Sequence, residues 1–413
     1  MTDTTTPRTL ERIIAPYILS STPTAIATLW KGAGTVFSFT VADTHATSSQ
    51  NCIAKVVTDA PSLRSDVIES YIVEQDFYNN GFPQRLGGRA EIPSCIIASD
   101  MGGGNAKRKG KKEKGKKRKG GGTGSAVCQY LGTSPRFVSV LSNLSIDRPV
   151  TAIDLDFGQA RASLLWMANF HSSFLGEVGR GWQKFPTPGR TEEALRGLWD
   201  VGGFWCLDRK ADMVKVMEKV YSDELKARVL KENPDLVGVE NLAKRLKKAA
   251  RALRERLSGE HNPSAWFTLI HGDLKGENIA LPEVCEEGSS ASVYDFQWTG
   301  AALPVVDLAY FFASALDPSA LERESELLDW YYQNLKRGAG KKKLFTRAEF
   351  QELFEVAFLD FMRWLCSYGL WGGPAEAWTL RRADGILKRW DGGNVIEEEM
   401  YREAIMNNLN GKG

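Results

Sequence analysis

The sequence predicts an α+β chain in two parts: a small β-rich part from 25 to about 144, and a larger, mainly helical part from 145 to 413. Three observations predict it. Short β-type runs crowd the first part, at 52–57, 92–98, 126–131 and 137–144. Long amphipathic stretches with apolar residues at helical spacing dominate the second. Within that helical part, a short apolar strand runs straight into a polar loop, and a second apolar strand follows it closely.

The elements follow in order. Residues 1–24 are expected to be a flexible N-terminus. Met1 to Arg12 is polar and lacks the apolar centre of a signal peptide. Gly32-Ala33-Gly34 precedes a strand, and the alternatives are an ordinary hairpin turn or a loop whose backbone N–H groups approach an anion. In Cys52-Ile53-Ala54-Lys55-Val56-Val57, alternation puts Lys55 on one face with Ile53 and Val57. A lysine on an apolar face needs an anionic partner, because an isolated buried charge is costly; the alternative is an edge-strand lysine in solvent. Residues 66–78 read as a helix started by Ser65 or Asp66. Val67, Tyr71, Glu74 and Tyr78 form its apolar stripe, whereas Glu69 projects from another face.

Residues 101–124 break the pattern. Lys107 to Lys119 is Gly-rich and strongly basic, with no large apolar anchor, so disorder is expected. The β-type runs on either side, 92–98 and 126–131, suggest a hairpin whose turn has been lengthened. The basic run reads as a tolerated solvated insertion. Nuclear targeting, nucleic-acid contact or attraction to an anionic surface are the other readings. No aromatics interleave the charges, so base stacking is not expected.

In the second part, residues 160–175 read as a helix with Leu164, Ala168, His171 and Leu175 on its buried stripe. Residues 210–231 and 240–257 read as highly charged amphipathic helices. Asp307 begins a further helix, where a carboxylate would cap free N–H groups. Residues 358–390 hold Phe361, Trp364, Tyr368, Trp371, Trp378 and Trp390. These aromatics read as core, with a cage for a quaternary ammonium or a wall for a steroid as the alternatives.

The chemistry is concentrated in Leu269-Ile270-His271-Gly272-Asp273-Leu274-Lys275-Gly276-Glu277-Asn278. Asn278 lies five residues after Asp273, and Asp295 lies seventeen after Asn278, at the end of Val293-Tyr294. A hairpin of 278–281 and 291–294, turning at 286–290, would open both ends on one edge. There Asn278 and Asp295 could share a cation. This is a kinase-type layout: a carboxylate takes the proton of an attacking hydroxyl, while an amide and a second carboxylate hold Mg²⁺ on the phosphates of ATP.

His271-Gly272-Asp273-Leu274 with Asn278, followed by Asp295-Phe296-Gln297, resembles the aminoglycoside phosphotransferase and choline kinase superfamily. The Asp-Phe-Gln triplet resembles its ecdysteroid-kinase-like (CHK-kinase-like) branch. Gly272 stands where protein kinases carry Arg, Gln297 where they carry Gly, and no Ala-Pro-Glu follows, which argues against a protein substrate. The resemblance spans residues 25–390, and its specific part is 269–307.

It implies a two-lobed protein-kinase-like fold and an ATP- and Mg²⁺-dependent small-molecule kinase. Asp273 would be the base or hydroxyl-orienting group, and Asn278 and Asp295 the metal ligands. Lys55 would grip phosphates, with Glu74 orienting it, and Gly32 and Gly34 would lie in the nucleotide-covering loop. Asp307 and His271 would brace the catalytic loop, and His171 would be a core residue. Residues 137–144 would be the strand entering the hinge, where Ser142-Asn143 departs from the acidic pair often seen. A catalytically silent kinase-like scaffold, or a binding protein acting through 107–119, are the other classes.

Composition fits these expectations. The chain has 413 residues, 43% hydrophobic and 25% charged, with a net charge of +2, too balanced to imply a nucleic-acid or membrane partner. Six cysteines without Cys-x-x-Cys read as reduced thiols in a cytoplasmic protein, with a nuclear location as the alternative the basic run leaves open. No apolar run is long enough for a membrane span, and no zinc pattern links the four histidines.

Overall fold

The computed structural model describes residues 17–19, 23–29, 32–43, 49–58, 65–100, 135–177, 197–234, 236, 238–373 and 375–407. The chain divides into two compact units: Met1–Phe82 with Ile92–Ile146, and Pro83–Glu91 with Asp147–Gly413. The class is the α+β one expected, a β-rich smaller unit and a mainly helical larger one.

The smaller unit contains β1 (Tyr17–Leu19), β2 (Thr24–Thr28), β3 (Gly34–Asp43), β4 (Ser49–Thr58), α1 (Ser65–Asn79), β5 (Cys95–Asp100) and β6 (Pro135–Ser142). The strands form one antiparallel sheet in the order β1-β3-β4-β6-β5, with β2 also paired to β3. Alternation along β4 divides its side chains between two clusters. Cys52, Ala54 and Val56 pack with Phe39, Val41, Val138 and Val140. Val57 packs with Phe137 and with Val67 and Tyr71 of α1. Lys55 therefore leaves β4 on the side that α1 covers.

The expected hairpin of 92–98 with 126–131 falls partly on residues outside those described. Among the described residues, β5 pairs with β6, with Cys95 opposite Leu141 and Asp100 opposite Phe137. The run at 126–131 and the basic stretch at 101–124 lie outside the described residues, as does most of 1–24. The place of β6 has a physical reason. Phe137, Val138, Val140 and Leu141 are all buried, so this strand is apolar on both faces and suits a central position between β4 and β5.

The larger unit contains α2 (Phe157–Phe174), α3 (Leu207–Val220), α4 (Asp223–Glu232), α5 (Leu242–Arg256), β7 (Thr268–Ile270), β8 (Ile279–Ala280), β9 (Ser292–Val293), β10 (Gly300–Ala302), α6 (Val305–Ser314), α7 (Glu324–Ala339), α8 (Arg347–Tyr368), α9 (Glu376–Asp391) and α10 (Glu398–Asn407). Helix α2 starts ahead of the expected residue 160 because Asp156 and Gln159 form a capping box. The single helix expected over 210–231 is two. Tyr221 ends α3, and the Ser222 hydroxyl accepts the Leu225 N–H at 3.3 Å to start α4.

Helix α8 packs against α3, α5 and α6 and supplies much of the apolar centre. Arg245 of α5 is fully buried and donates to Asp391 (2.7 and 2.8 Å) and Asp384 (2.6 Å), while Tyr401 donates to Asp391 at 2.6 Å. This network ties α5, α9 and α10 with every charge paired. Among the described residues, no helix is long and apolar enough to cross a membrane.

Candidate active site

The site in the larger unit is built on β7 and β10, which pair antiparallel with Ile270 opposite Gly300. A third line of backbone lies alongside. Trp199 N–H donates to Thr299 O, Gly202 N–H to Ala301 O and Gly203 N–H to Trp298 O, each at 3.1 Å. The chain leaves β7 through Gly272 at φ 81°, where a Cβ would sit 2.1 Å from Trp298 O. Only glycine allows that approach.

The loop that begins there is held by α6. Asp307 is completely buried, and its carboxylate accepts the His271 N–H at 2.7 Å and the Gly272 N–H at 2.9 Å. The expected capping role is thus corrected: α6 has no side-chain cap, and Asp307 satisfies the loop's N–H groups instead. His171 Nε2 lies 3.1 Å from the same carboxylate, and its Nδ1 lies 2.7 Å from the Tyr331 hydroxyl. The contacts are satisfied when Tyr331 donates to Nδ1 and Nε2–H donates to Asp307.

His271 spans the loop. Its Nδ1 accepts the Asp273 N–H at 3.2 Å, and its Nε2–H donates to Tyr294 O at 2.9 Å. Burial pushes the imidazole below its ordinary pKa, against the nearby Asp307 charge, which suits this neutral tautomer.

Asp273 follows, half-buried at the tip. Asn278 Nδ2 donates to its carbonyl at 2.7 Å and to its Oδ2 at 3.2 Å. Burial lifts the Asp273 carboxyl to about 7, with Asp295 adding to the rise and Lys275 opposing it. The buried Tyr310 also opposes the rise in the pKa of this carboxyl.

The expected hairpin is present, shorter than drawn from the sequence. Ile279 faces Val293 and Ala280 faces Ser292, and Tyr294 N–H donates to Asn278 O at 3.1 Å. Asn278 and Asp295 therefore come together at one end of it. Asp295 has φ 71°, the only non-glycine residue with positive φ among those described. Strain of that kind costs on the order of 1–3 kcal/mol and collects at functional sites.

The smaller unit holds the remaining candidates. Lys55 Nζ lies 2.9 Å from both Glu74 oxygens, with the lysine side chain 12% and the glutamate 1% exposed. Glu69 is exposed on another face of α1. Gly32, at φ 72°, lies in the β2–β3 turn with open space around it. Gly34 starts β3, and a Cβ there would meet Val56 O at 2.0 Å, so close strand approach already requires a glycine.

Of the C-terminal aromatics, Phe361 and Trp364 are buried, whereas Tyr368 and Trp371 are 52% and 45% exposed. Sequence reasoning missed Tyr310 and the 199–203 backbone. Two signals were available: a tyrosine three residues beyond Asp307 on one helix, and the Gly202-Gly203 pair.

The model of the ecdysteroid kinase-like family matches residues 207–343, a narrower span than 25–390 but one that contains Asp273, Asn278, Asp295 and Asp307. The resemblance drawn from those motifs thus stands. No curated protein matches. Among solved structures, the chain is similar to a microcompartment-associated aminopropanol kinase (13% identity, TM-score 0.45, covering 91% of this chain and 94% of that one). It is also similar to an amicoumacin kinase bound to AMP-PNP and Ca²⁺ (12%, 0.47, 92% and 93%). A third is a choline kinase from Streptococcus pneumoniae (11%, 0.41, 92% and 97%). These likenesses are distant, and the chemistry has to be read from this chain's own residues.

Proposed function

We propose that this chain is a small-molecule kinase that moves the γ-phosphate of ATP to a hydroxyl group. The observation that carries the reading is the joined pair Asp273 and Asn278, hydrogen-bonded to each other, with Asp295 at the same end of the hairpin.

Asp273 is the base or hydroxyl-orienting group. As the acceptor oxygen bonds to the γ-phosphorus and the bond to the ADP oxygen breaks, the hydroxyl proton passes to its carboxylate and ADP leaves with the bonding electrons. A carboxyl lifted to about 7 is suited to take a proton near neutral pH. His271 and Asp307 keep the loop in place and transfer nothing. Lys55, held by Glu74, is the cation for the phosphates, and Gly32 and Gly34 belong to the loop over the nucleotide.

The residues present fit Mg²⁺. Asn278 turns its Nδ2 to Asp273, which leaves its amide oxygen as acceptor, and Asp295 adds a carboxylate: hard oxygen donors, few in number. When bound there, Mg²⁺ neutralises phosphate charge.

A thermal-shift titration with ATP, with and without Mg²⁺, on wild type and Asp295→Ala tests the reading. Saturation at about 100 times Kd adds roughly 2.7 kcal/mol, a rise of about 2–4 °C. A Mg²⁺-dependent rise that Asp295→Ala loses supports the nucleotide site. No rise at millimolar ATP favours a silent scaffold, or a binding protein acting through 107–119.

A further inference from the structure

We propose that Arg148 is a positioning residue for metal binding: together with Glu91 it clamps strand β9 and so fixes where Asp295 meets the cation. The inference rests on the kinase reading above and assigns that site a residue it did not include.

Strand β9 ends two residues before Asp295. One edge of it is paired with β8, Ile279 opposite Val293. The other edge is covered by Glu91, which belongs to the same compact unit as the hairpin. Glu91 and Ser292 form an isolated parallel bridge. Val293 N–H donates to Glu91 O at 3.2 Å, and the Trp166 indole N–H donates to the same carbonyl at 2.7 Å.

Arg148 closes this arrangement. Its Nε–H donates to the hydroxyl of the fully buried Ser292 at 3.2 Å, and its guanidinium also donates to the Glu91 carboxylate. A guanidinium carries its donors in a rigid fork, so it can serve a hydroxyl and a carboxylate at once. One side chain thereby ties the strand to the segment lying beside it.

The strain at Asp295 gives the clamp a purpose. A non-glycine residue at φ 71° keeps that conformation only where its surroundings over-determine it. On the far side, Phe296 is buried against Phe170 and Trp166, at 5.9 and 6.4 Å between ring centroids. On the near side stand the Tyr294 N–H to Asn278 O bond and the clamp on β9. Trp166 serves both sides, holding Glu91 through its N–H and Phe296 through its ring. The partly exposed ion pair adds little to stability by itself. What its loss should change is the placement of the Asp295 carboxylate relative to the Asn278 amide.

Arg148→Met keeps the apolar stem and removes the donors. The probe is Mg²⁺ itself, titrated at saturating ATP on the full chain and followed by thermal shift. Arg148→Met should raise the half-saturating Mg²⁺ concentration about fivefold, less than the tenfold typical where the supporting group touches the ligand itself. Its melting temperature without ligands should stay within about 3 °C of wild type. Ser292→Ala should move the Mg²⁺ midpoint in the same direction, and the double variant should be no worse than Arg148→Met alone. An unmoved midpoint in Arg148→Met, or effects of the two substitutions that simply add, overturns the proposal. Should Arg148→Met fail to fold, an unmoved midpoint in Ser292→Ala overturns it instead.

A second measurement needs neither metal nor nucleotide. In EDTA, the Val293 amide of Arg148→Met should exchange its hydrogen about fivefold faster, with the amides of α8 unchanged. Equal rates for Val293 in the two proteins overturn the clamp. The two readings fail differently. Wild type without a Mg²⁺-dependent rise sinks the kinase reading and this one with it. A normal rise in wild type beside an unmoved midpoint in Arg148→Met sinks only the role of Arg148.

Discussion

Asp273→Asn should change stability in a way that reverses with pH. The Asp273 carboxyl is lifted from 3.8 to about 7, chiefly by burial. Its folded value lies above its unfolded one, so between about pH 4 and 7 the folded chain keeps a proton that the unfolded chain has released. Stability therefore falls as pH rises through this window, and the full penalty is present above about 7. At about 1.4 kcal/mol for each pH unit, lifting the carboxyl from 3.8 to about 7 is worth about 4 kcal/mol. Water at the half-buried carboxylate reduces that to roughly 2 kcal/mol. Asparagine removes the charge but leaves one acceptor oxygen in place of two beside Asn278, a loss of about 1 kcal/mol. The expected balance is a variant less stable than wild type by about 1 kcal/mol at about pH 3, equal to it near pH 4.5 and more stable by about 1 kcal/mol at about pH 8. Urea unfolding at these pH values, in EDTA and without nucleotide, measures it. A difference between the proteins that does not change with pH would refute the reasoning. The functional corollary is a carboxylate kept at the cost of stability.

The remaining predictions concern the supports. Asp307→Ala should destabilise by about 3–5 kcal/mol, because it leaves buried N–H groups of His271 and Gly272 without an acceptor; urea midpoints measure it, and a cost below about 1 kcal/mol would deny the bracing role. Gly34→Ala should cost at least about 3 kcal/mol, since its Cβ meets Val56 O at 2.0 Å. Gly32→Ala, strained but in open space, should cost only about 1 kcal/mol. The reverse ranking of the two glycine variants in thermal unfolding would contradict the strand geometry.

What was legible in the sequence was local or periodic. The stripe of α1 put Glu74 inward at 1% exposure and Glu69 outward, and alternation set Lys55 on the face that α1 covers, because a helix and a strand each impose a fixed side-chain period. The hairpin joining Asn278 to Asp295 was legible for the same reason. The illegible parts depend on partners far along the chain. Strand β5 pairs with β6 across a long stretch of chain, a pairing favoured by burial on both faces of β6 that no local pattern records. The break at Tyr221-Ser222 was hidden because the charged periodicity continues through it, and only the Ser222 cap marks it.

Asp307 shows how a correct residue can carry a mistaken local reason. Its place in the first turn of α6 suggested a cap for its own helix. Its oxygens serve instead a loop 35 and 36 residues earlier and a histidine 136 residues earlier. The same helix then packs Tyr310 against Trp205 and Phe361. A helix that starts right after β10, itself paired to β7, has its first turns delivered to the loop that leaves β7. Sequence shows each of these elements singly. Their convergence on one carboxylate follows from the sheet pairing, and only the assembled fold brings it about.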